Sequence, residues 1–99
     1  MPRYRISKDA KEDLKELRRY IARDSKQNAT RFLQRIRNAL RGLERFPEAG
    51  ALVPEYSRFD LREVFVGNYR IVYQLIDRVP NVMLIQHGAR RLPDSLGRI

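Results

Sequence analysis

Arg70, His87, Arg90 and Glu63 are the residues whose types could carry chemistry in this chain. A histidine moves a proton near neutral pH, while arginines hold a phosphate and stabilise the charge that develops on it in a transition state. Such a group can cleave RNA through the RNA's own 2′-hydroxyl, with no metal. The plainer alternative is a solvated ion-pair cluster on a sheet, with His87 hydrogen-bonded at a strand end, and on these residues alone it is preferred. Motifs for other chemistries are missing: there is no G-x-x-x-x-G-K-[ST], no G-x-S-x-G, no H-E-x-x-H and no dinucleotide fingerprint. No metal and no cofactor are expected.

Whether the four residues meet depends on strand register. Leu61 to Val66 and Tyr69 to Ile76 are β-branched and aromatic runs separated by Gly67-Asn68, a two-residue hairpin signal. A tight turn there pairs Val66 with Tyr69, Val64 with Ile71 and Arg62 with Tyr73 on an apolar face, and Phe65 with Arg70 and Glu63 with Val72 on the other. Pro80-Asn81 reads as a second turn before a strand over residues 82–87. Pairing Asp77 with Val82 around a four-residue loop sets Leu84 across from Leu75 in the core, and His87 across from Val72 near Arg70, Glu63 and Arg90. A slip of one residue moves His87 beside Arg62 and Tyr73. The first register is preferred because it gathers the ionisable groups.

The preceding chain supplies the elements that must cover this sheet. Arg3-Tyr4-Arg5-Ile6 alternates as an edge strand would, and Ser7 is a helix N-cap with Asp9 in the first turn. A helix to about Arg23 carries Ala10, Leu14, Leu17 and Ile21 on one face. Asp24-Ser25 breaks it, and a second helix with Ala29, Phe32, Leu33, Ile36, Leu40 and Leu43 in a stripe must stop by Phe46, before Pro47. Residues 47–60, PEAGALVPEYSRFD, read as a loop. The order is β-α-α-β-β-β, an α+β fold in which an N-terminal strand and an antiparallel three-strand meander form one sheet packed by a helical hairpin. Residues 1–99 are expected to be one domain.

Composition narrows the setting. There is no cysteine, so no disulfide or thiolate site holds the chain, and no apolar run is long enough to span a bilayer. The expectation is a cytoplasmic protein with no membrane partner. The net charge of +9, from 21 Lys and Arg against 12 Asp and Glu, points to nucleic acid or an acidic protein. Arg31, Arg35, Arg37, Arg41 and Arg45 form rows at four-residue spacing, by default a solvated helix face. Tyr20, Phe32, Phe46 and Tyr56 read as core or core edge, and Tyr69 and Tyr73 as sheet core.

At LREVFVGNYRIVYQL, residues 61–75, followed by HGAR at 87–90, the chain resembles the ParE/RelE superfamily of toxins from bacterial toxin–antitoxin modules. The pieces that carry the likeness include Leu61, Arg62, Glu63, Tyr69, Arg70, Tyr73, His87, Gly88 and Arg90, together with LERFPEAG and the VPE loop. The resemblance implies a helical hairpin on an antiparallel sheet, and two candidate activities. RelE-like members cut mRNA on the ribosome, which would assign RNA chemistry to Arg70, His87 and Arg90. ParE-like members inhibit DNA gyrase and have no nuclease activity. No residue after His87 is aromatic, and Glu55 and Arg58 stand where RelE-like members carry lysines, so the likeness favours the ParE-like branch and a role in plasmid stabilisation. It also implies a ParD-like antitoxin whose tail wraps along the hairpin and sheet, with Leu17, Tyr20, Ile21, Arg31 and Arg35 expected on that surface. The short basic tail from Arg91 is a candidate gyrase contact because its composition reads as exposed. A third reading, a nucleic-acid-binding module without toxicity, would be set aside by growth arrest on expression that the neighbouring gene rescues.

Overall fold

Ser7 sets the geometry of everything that follows. In the computed structural model, which describes residues 3–94 and 96 and only the backbone of 57–59, strand β1 is Arg5–Ile6 and helix α1 is Lys8–Ala22. The Ser7 hydroxyl accepts from the Ala10 N–H at 3.0 Å and donates to the Met83 carbonyl at 3.0 Å, so the helix cap is also a clamp on the last strand. Ser25 caps α2, Lys26–Arg45, by accepting from the Asn28 N–H at 3.1 Å. Phe46 ends it with φ −131° and ψ 76°, outside the helical region that a following proline disfavours.

The two helices lie antiparallel and bury one face against a sheet. Ala10, Leu17, Ile36, Leu40 and Leu43 pack with Val66, Ile71, Tyr73, Val82 and Ile85 in the main core. Strands β2 (Ala51–Leu52), β3 (Leu61–Val66), β4 (Tyr69–Ile76) and β5 (Val79–His87) complete the sheet in the order β1-β5-β4-β3-β2. The first strand runs parallel to the last, Arg5 opposite Asn81, and the other neighbours are antiparallel. The segment 47–60, read as a loop, contributes β2 and a 3-10 segment, Pro54–Phe59. The side chain of Arg58 lies outside the described residues.

The β3–β4 hairpin has the expected register, with Val66 opposite Tyr69 and Phe65 opposite Arg70. Gly67 takes φ 57° as the first turn residue, the pattern of a type II′ turn. The β4–β5 register differs from both alternatives. Asp77 and Arg78 form the turn, at φ 52° and 66°, so Ile76 faces Val79 and Pro80 lies inside β5 opposite Leu75. Residues flanking a two-residue turn exchange hydrogen bonds and the next pair does not, so the missing N–H of Pro80 falls on the outer side of β5, where no ladder bond is lost. Left-handed geometry at Arg78 stores strain that a glycine would not. Arg78→Gly is expected to raise stability by about 1 kcal/mol, read as a higher urea midpoint with unchanged slope.

A register shift between Val72 and Tyr73 inserts one extra residue, Met83, into β5. Val82 and Ile85 therefore both face the helices, while Leu84 and Gln86 face away. Leu84 sits opposite Val72 rather than Leu75, and His87 opposite Tyr69 rather than Val72. On the face away from the helices, Val53, Leu61, Val72, Leu84, Leu92 and Leu96 form a second core. This corrects the reading of the tail as exposed: Leu92 and Leu96 are 3% and 5% accessible. Residues 95 and 97–99 lie outside the described residues.

Candidate functional site

The four residues singled out for chemistry do not assemble. Arg70 and Glu63 lie on the face away from the helices and His87 lines a groove on the helical side, with the sheet between them, while Arg90, beyond the end of β5, borders both that groove and a hollow beside Leu84 and Gln86. The reason is the Met83 bulge, which reverses the phase of β5 relative to β4, whereas the earlier turn slides the pairing by an even number of residues and leaves the faces unchanged. Gln86, not His87, stands opposite Arg70.

Arg70 is closed off by carboxylates. Its Nε donates to Glu63, and its Nη1 and Nη2 donate to the two Glu55 oxygens at 3.3 and 3.2 Å. The Arg70 and Glu63 side chains are 9% and 11% accessible, Glu55 48%. Burial draws the Arg70 pKa down, but its bonds to Glu63 and Glu55 outweigh this and raise it, while the Arg70 hydrogen bonds hold the Glu55 carboxyl below the usual range. With two carboxylates on three of its donor atoms, this guanidinium is charge-neutralised and turned away from any phosphate. Glu55 escaped notice as its partner because it comes from the 3-10 segment, with no periodic relation to β4.

The remaining family-motif residues position the chain. Leu61 and Tyr73 are fully buried, and Tyr73 Oη accepts from the Gly50 N–H at 2.9 Å and donates to the Pro47 carbonyl at 2.7 Å. Arg62 donates to the carbonyls of Glu48 and Gly50 and pairs with Asp60 at 3.8 Å, so both side chains pin residues 47–50. Gly88 donates to the Asn68 carbonyl at 2.8 Å, and a Cβ there would lie 3.0 Å from the Phe65 ring. His87 accepts the Ala89 N–H on Nδ1 at 3.1 Å and meets Tyr69 edge to face, 5.6 Å between centroids. That bond places the imidazole proton on Nε2 and ties His87 to its own turn.

The helical side offers a groove of about 570 Å³ between α1 and the end of β5, lined by Leu17, Tyr20, Arg23, Tyr69, Ile85 and His87 among others. Tyr20, expected at the core edge, is 64% accessible, as is Phe46. Leu17 is 6% accessible and forms the groove floor, and Ile21 is half-buried against the core. Arg35 stacks over Phe32, 5.4 Å from its ring, whereas Arg31 sits apart in a shallow depression with Lys26, Gln27 and Thr30. β1 ends opposite Val82, so β5 has no strand neighbour on that side beyond it.

Asp13 takes the place of a strand at this edge, accepting the Ile85 N–H at 2.9 Å. Burial pushes the Asp13 carboxyl above its ordinary value, the Ile85 bond opposes this, and Glu16 and Asp9 add to it. A raised carboxyl pKa means the folded chain binds the proton more tightly than the unfolded one, so the ionised group subtracts stability at neutral pH and the penalty fades as pH falls through the raised value. Asp13→Asn keeps the acceptor without the charge and is expected to leave stability at pH 7 equal or higher. Asp13→Leu strands the Ile85 N–H and is expected to cost about 1 to 3 kcal/mol. Urea titration of both variants at pH 7 checks the pair.

Among the described residues no group of three or more His, Asp and Glu is placed to hold a metal ion, and no helix is long and apolar enough to cross a membrane. A basic helical hairpin laid on a sheet that begins with the N-terminal strand and closes with an antiparallel meander defines the ParE/RelE class of small toxins. The family model described as ParE toxin of type II toxin-antitoxin system, parDE, matches residues 4–92, and the chain belongs to that family. It is thus a toxin of a type II module, for which the family implies an antitoxin partner. No curated protein matches the chain.

Proposed function

We propose that this toxin acts on DNA gyrase and leaves mRNA intact, and that a ParD-like antitoxin neutralises it in the cytoplasm. The observation that carries the reading is the closure of Arg70 by Glu55 and Glu63, with His87 on the opposite face of the sheet. A metal-free ribonuclease built on Arg70 needs that cation free to meet phosphate and His87 within reach of the same 2′-hydroxyl. The antitoxin tail fits the groove beside β5, where Tyr20 and Tyr69 supply aromatic surface, Arg19, Arg23 and Arg90 supply cations, and the strand edge lacks a neighbour. Arg35 adds a cation beside the groove, stacked on the Phe32 ring that meets Tyr69, while Arg31 lies apart from it.

Purified gyrase, assayed for supercoiling and DNA cleavage beside ribosome-programmed mRNA in the same protein preparation, tests the proposal. Stabilised gyrase cleavage with intact mRNA, reversed by equimolar antitoxin, is the expected result. Cut mRNA with unaffected gyrase would overturn it and return Arg70 and His87 to catalytic roles.

A further inference from the structure

Helix α2 sets Arg37, Arg41 and Arg45 at four-residue intervals, so the three side chains leave one flank of the helix about 6 Å apart along its axis. All three are exposed. None enters an ion pair or a side-chain hydrogen bond among the described residues, whereas Arg62, Arg70 and Arg91 are each paired with a carboxylate. On the α1 side of the same flank, Arg18 joins Arg37 around a crevice of about 260 Å³ between the helices, together with Lys15, which pairs with Glu12 at 3.4 Å in solvent. The basic excess of the chain is thus concentrated here: Glu44 is the single carboxylate of α2.

The chemistry of this face selects its partner. Between Arg37 and Arg45 its exposed residues are Asn38, Arg41 and Gly42, with no apolar anchor of the kind an amphipathic peptide needs, and the exposed Phe46 ring at its end is covered by the Arg45 guanidinium, 5.9 Å from the ring centroid. The groove beside Tyr20 has such an anchor, so the two surfaces suit different partners. What the arginine row matches is a rigid line of phosphates. A duplex carries one negative charge per about 1.7 Å of axis, and the major groove of B-form DNA, about 12 Å wide, admits the side of a helix, whereas that of A-form RNA is deep and narrow.

We propose that the outer flank of α2, centred on Arg37, Arg41 and Arg45 and continued by Arg18 and Lys15, binds the phosphate backbone of duplex DNA without regard to sequence. The contact does not depend on the gyrase reading, because free DNA is sufficient for it. The test is fluorescence anisotropy of the full chain with a mixed-sequence DNA duplex of about 30 base pairs, titrated between about 50 and 200 mM salt. Binding is expected, with a log–log salt slope that becomes shallower by about one for each arginine removed in a series ending at Arg37→Gln/Arg41→Gln/Arg45→Gln. The Arg→Lys triple variant, which keeps the charge, is expected to retain the slope. Circular dichroism verifies that each variant is folded. No binding at the lowest salt, a slope unchanged in the folded glutamine triple variant, or tighter binding to single-stranded DNA or an RNA duplex of the same length would overturn the proposal.

Discussion

Arg70→Ala is expected to cost about 3 to 5 kcal/mol of stability, the scale for removing one partner of a buried ion pair. The loss comes less from the vanished attraction than from what remains: the Glu63 carboxyl, 11% accessible, is left on the sheet with no cation beside it. Glu55→Gln should cost under about 1 kcal/mol, since that carboxylate is half in solvent and its pairing is screened. Replacing the inner pair together, Arg70→Met with Glu63→Leu, should recover most of the loss, because an apolar pair of similar volume carries no desolvation cost. Urea denaturation of the three variants separates these outcomes. A loss below about 1 kcal/mol for Arg70→Ala would mean that the guanidinium is not held as described, and would weaken the case against RNA chemistry. The pH dependence has a definite sign. The Glu55 carboxyl is depressed by Arg70, so its contribution is present above the ordinary carboxylate range and is lost as pH falls through the depressed value.

The second large effect is at Tyr73, which is fully buried and holds residues 47–50 through one oxygen. Tyr73→Ala should cost about 3 to 5 kcal/mol, as for other large aromatic truncations in a core. Tyr73→Phe keeps the ring but deprives the Gly50 N–H and the Pro47 carbonyl of their partner, at about 1 to 3 kcal/mol for each group left unsatisfied. Gly50 is constrained from the other side, since a Cβ there would stand 2.6 Å from Tyr73 Oη and 2.8 Å from the Glu63 carbonyl. Gly50→Ala should therefore be destabilising alone and milder when the hydroxyl is gone, a coupling that a double-mutant cycle with Tyr73→Phe measures. Additive costs would show that the two positions do not share the contact.

Those two clusters also mark where sequence reasoning succeeded and where it stopped. Ser7 announced the first helix because capping is local, and Gly67-Asn68 set the β3–β4 register because a two-residue turn leaves the pairing no freedom. The β4–β5 turn was misread because Asp77-Arg78 has no glycine and Pro80-Asn81 resembles a turn, yet the aspartate and arginine adopt left-handed geometry and the proline sits harmlessly within a strand. From there the bulge at Met83 broke the alternation on which any assignment of faces depends, and His87 was placed on the wrong side. Glu55 was legible as a residue but not as a partner, since its approach to Arg70 is a matter of tertiary packing. The burial of Leu92 and Leu96 was equally hidden, for two leucines in a short tail make no periodic pattern.

The pairing of β1 with β5 has a bearing on how the molecule is made. Ser7 bonds to Met83 across a separation of 76 residues, so the edge of the sheet that carries β1 cannot close until nearly the whole sheet has been synthesised. Contacts of this range are slow to form, because the intervening chain must be ordered before they return any free energy. A nascent chain with β4 complete but β5 missing would expose β4 as an open edge and leave Asp13 without its strand partner. Such a chain cannot form the groove between α1 and β5 either, so both the native toxin fold and the surface we assign to its antitoxin arise only once β5 has been synthesised.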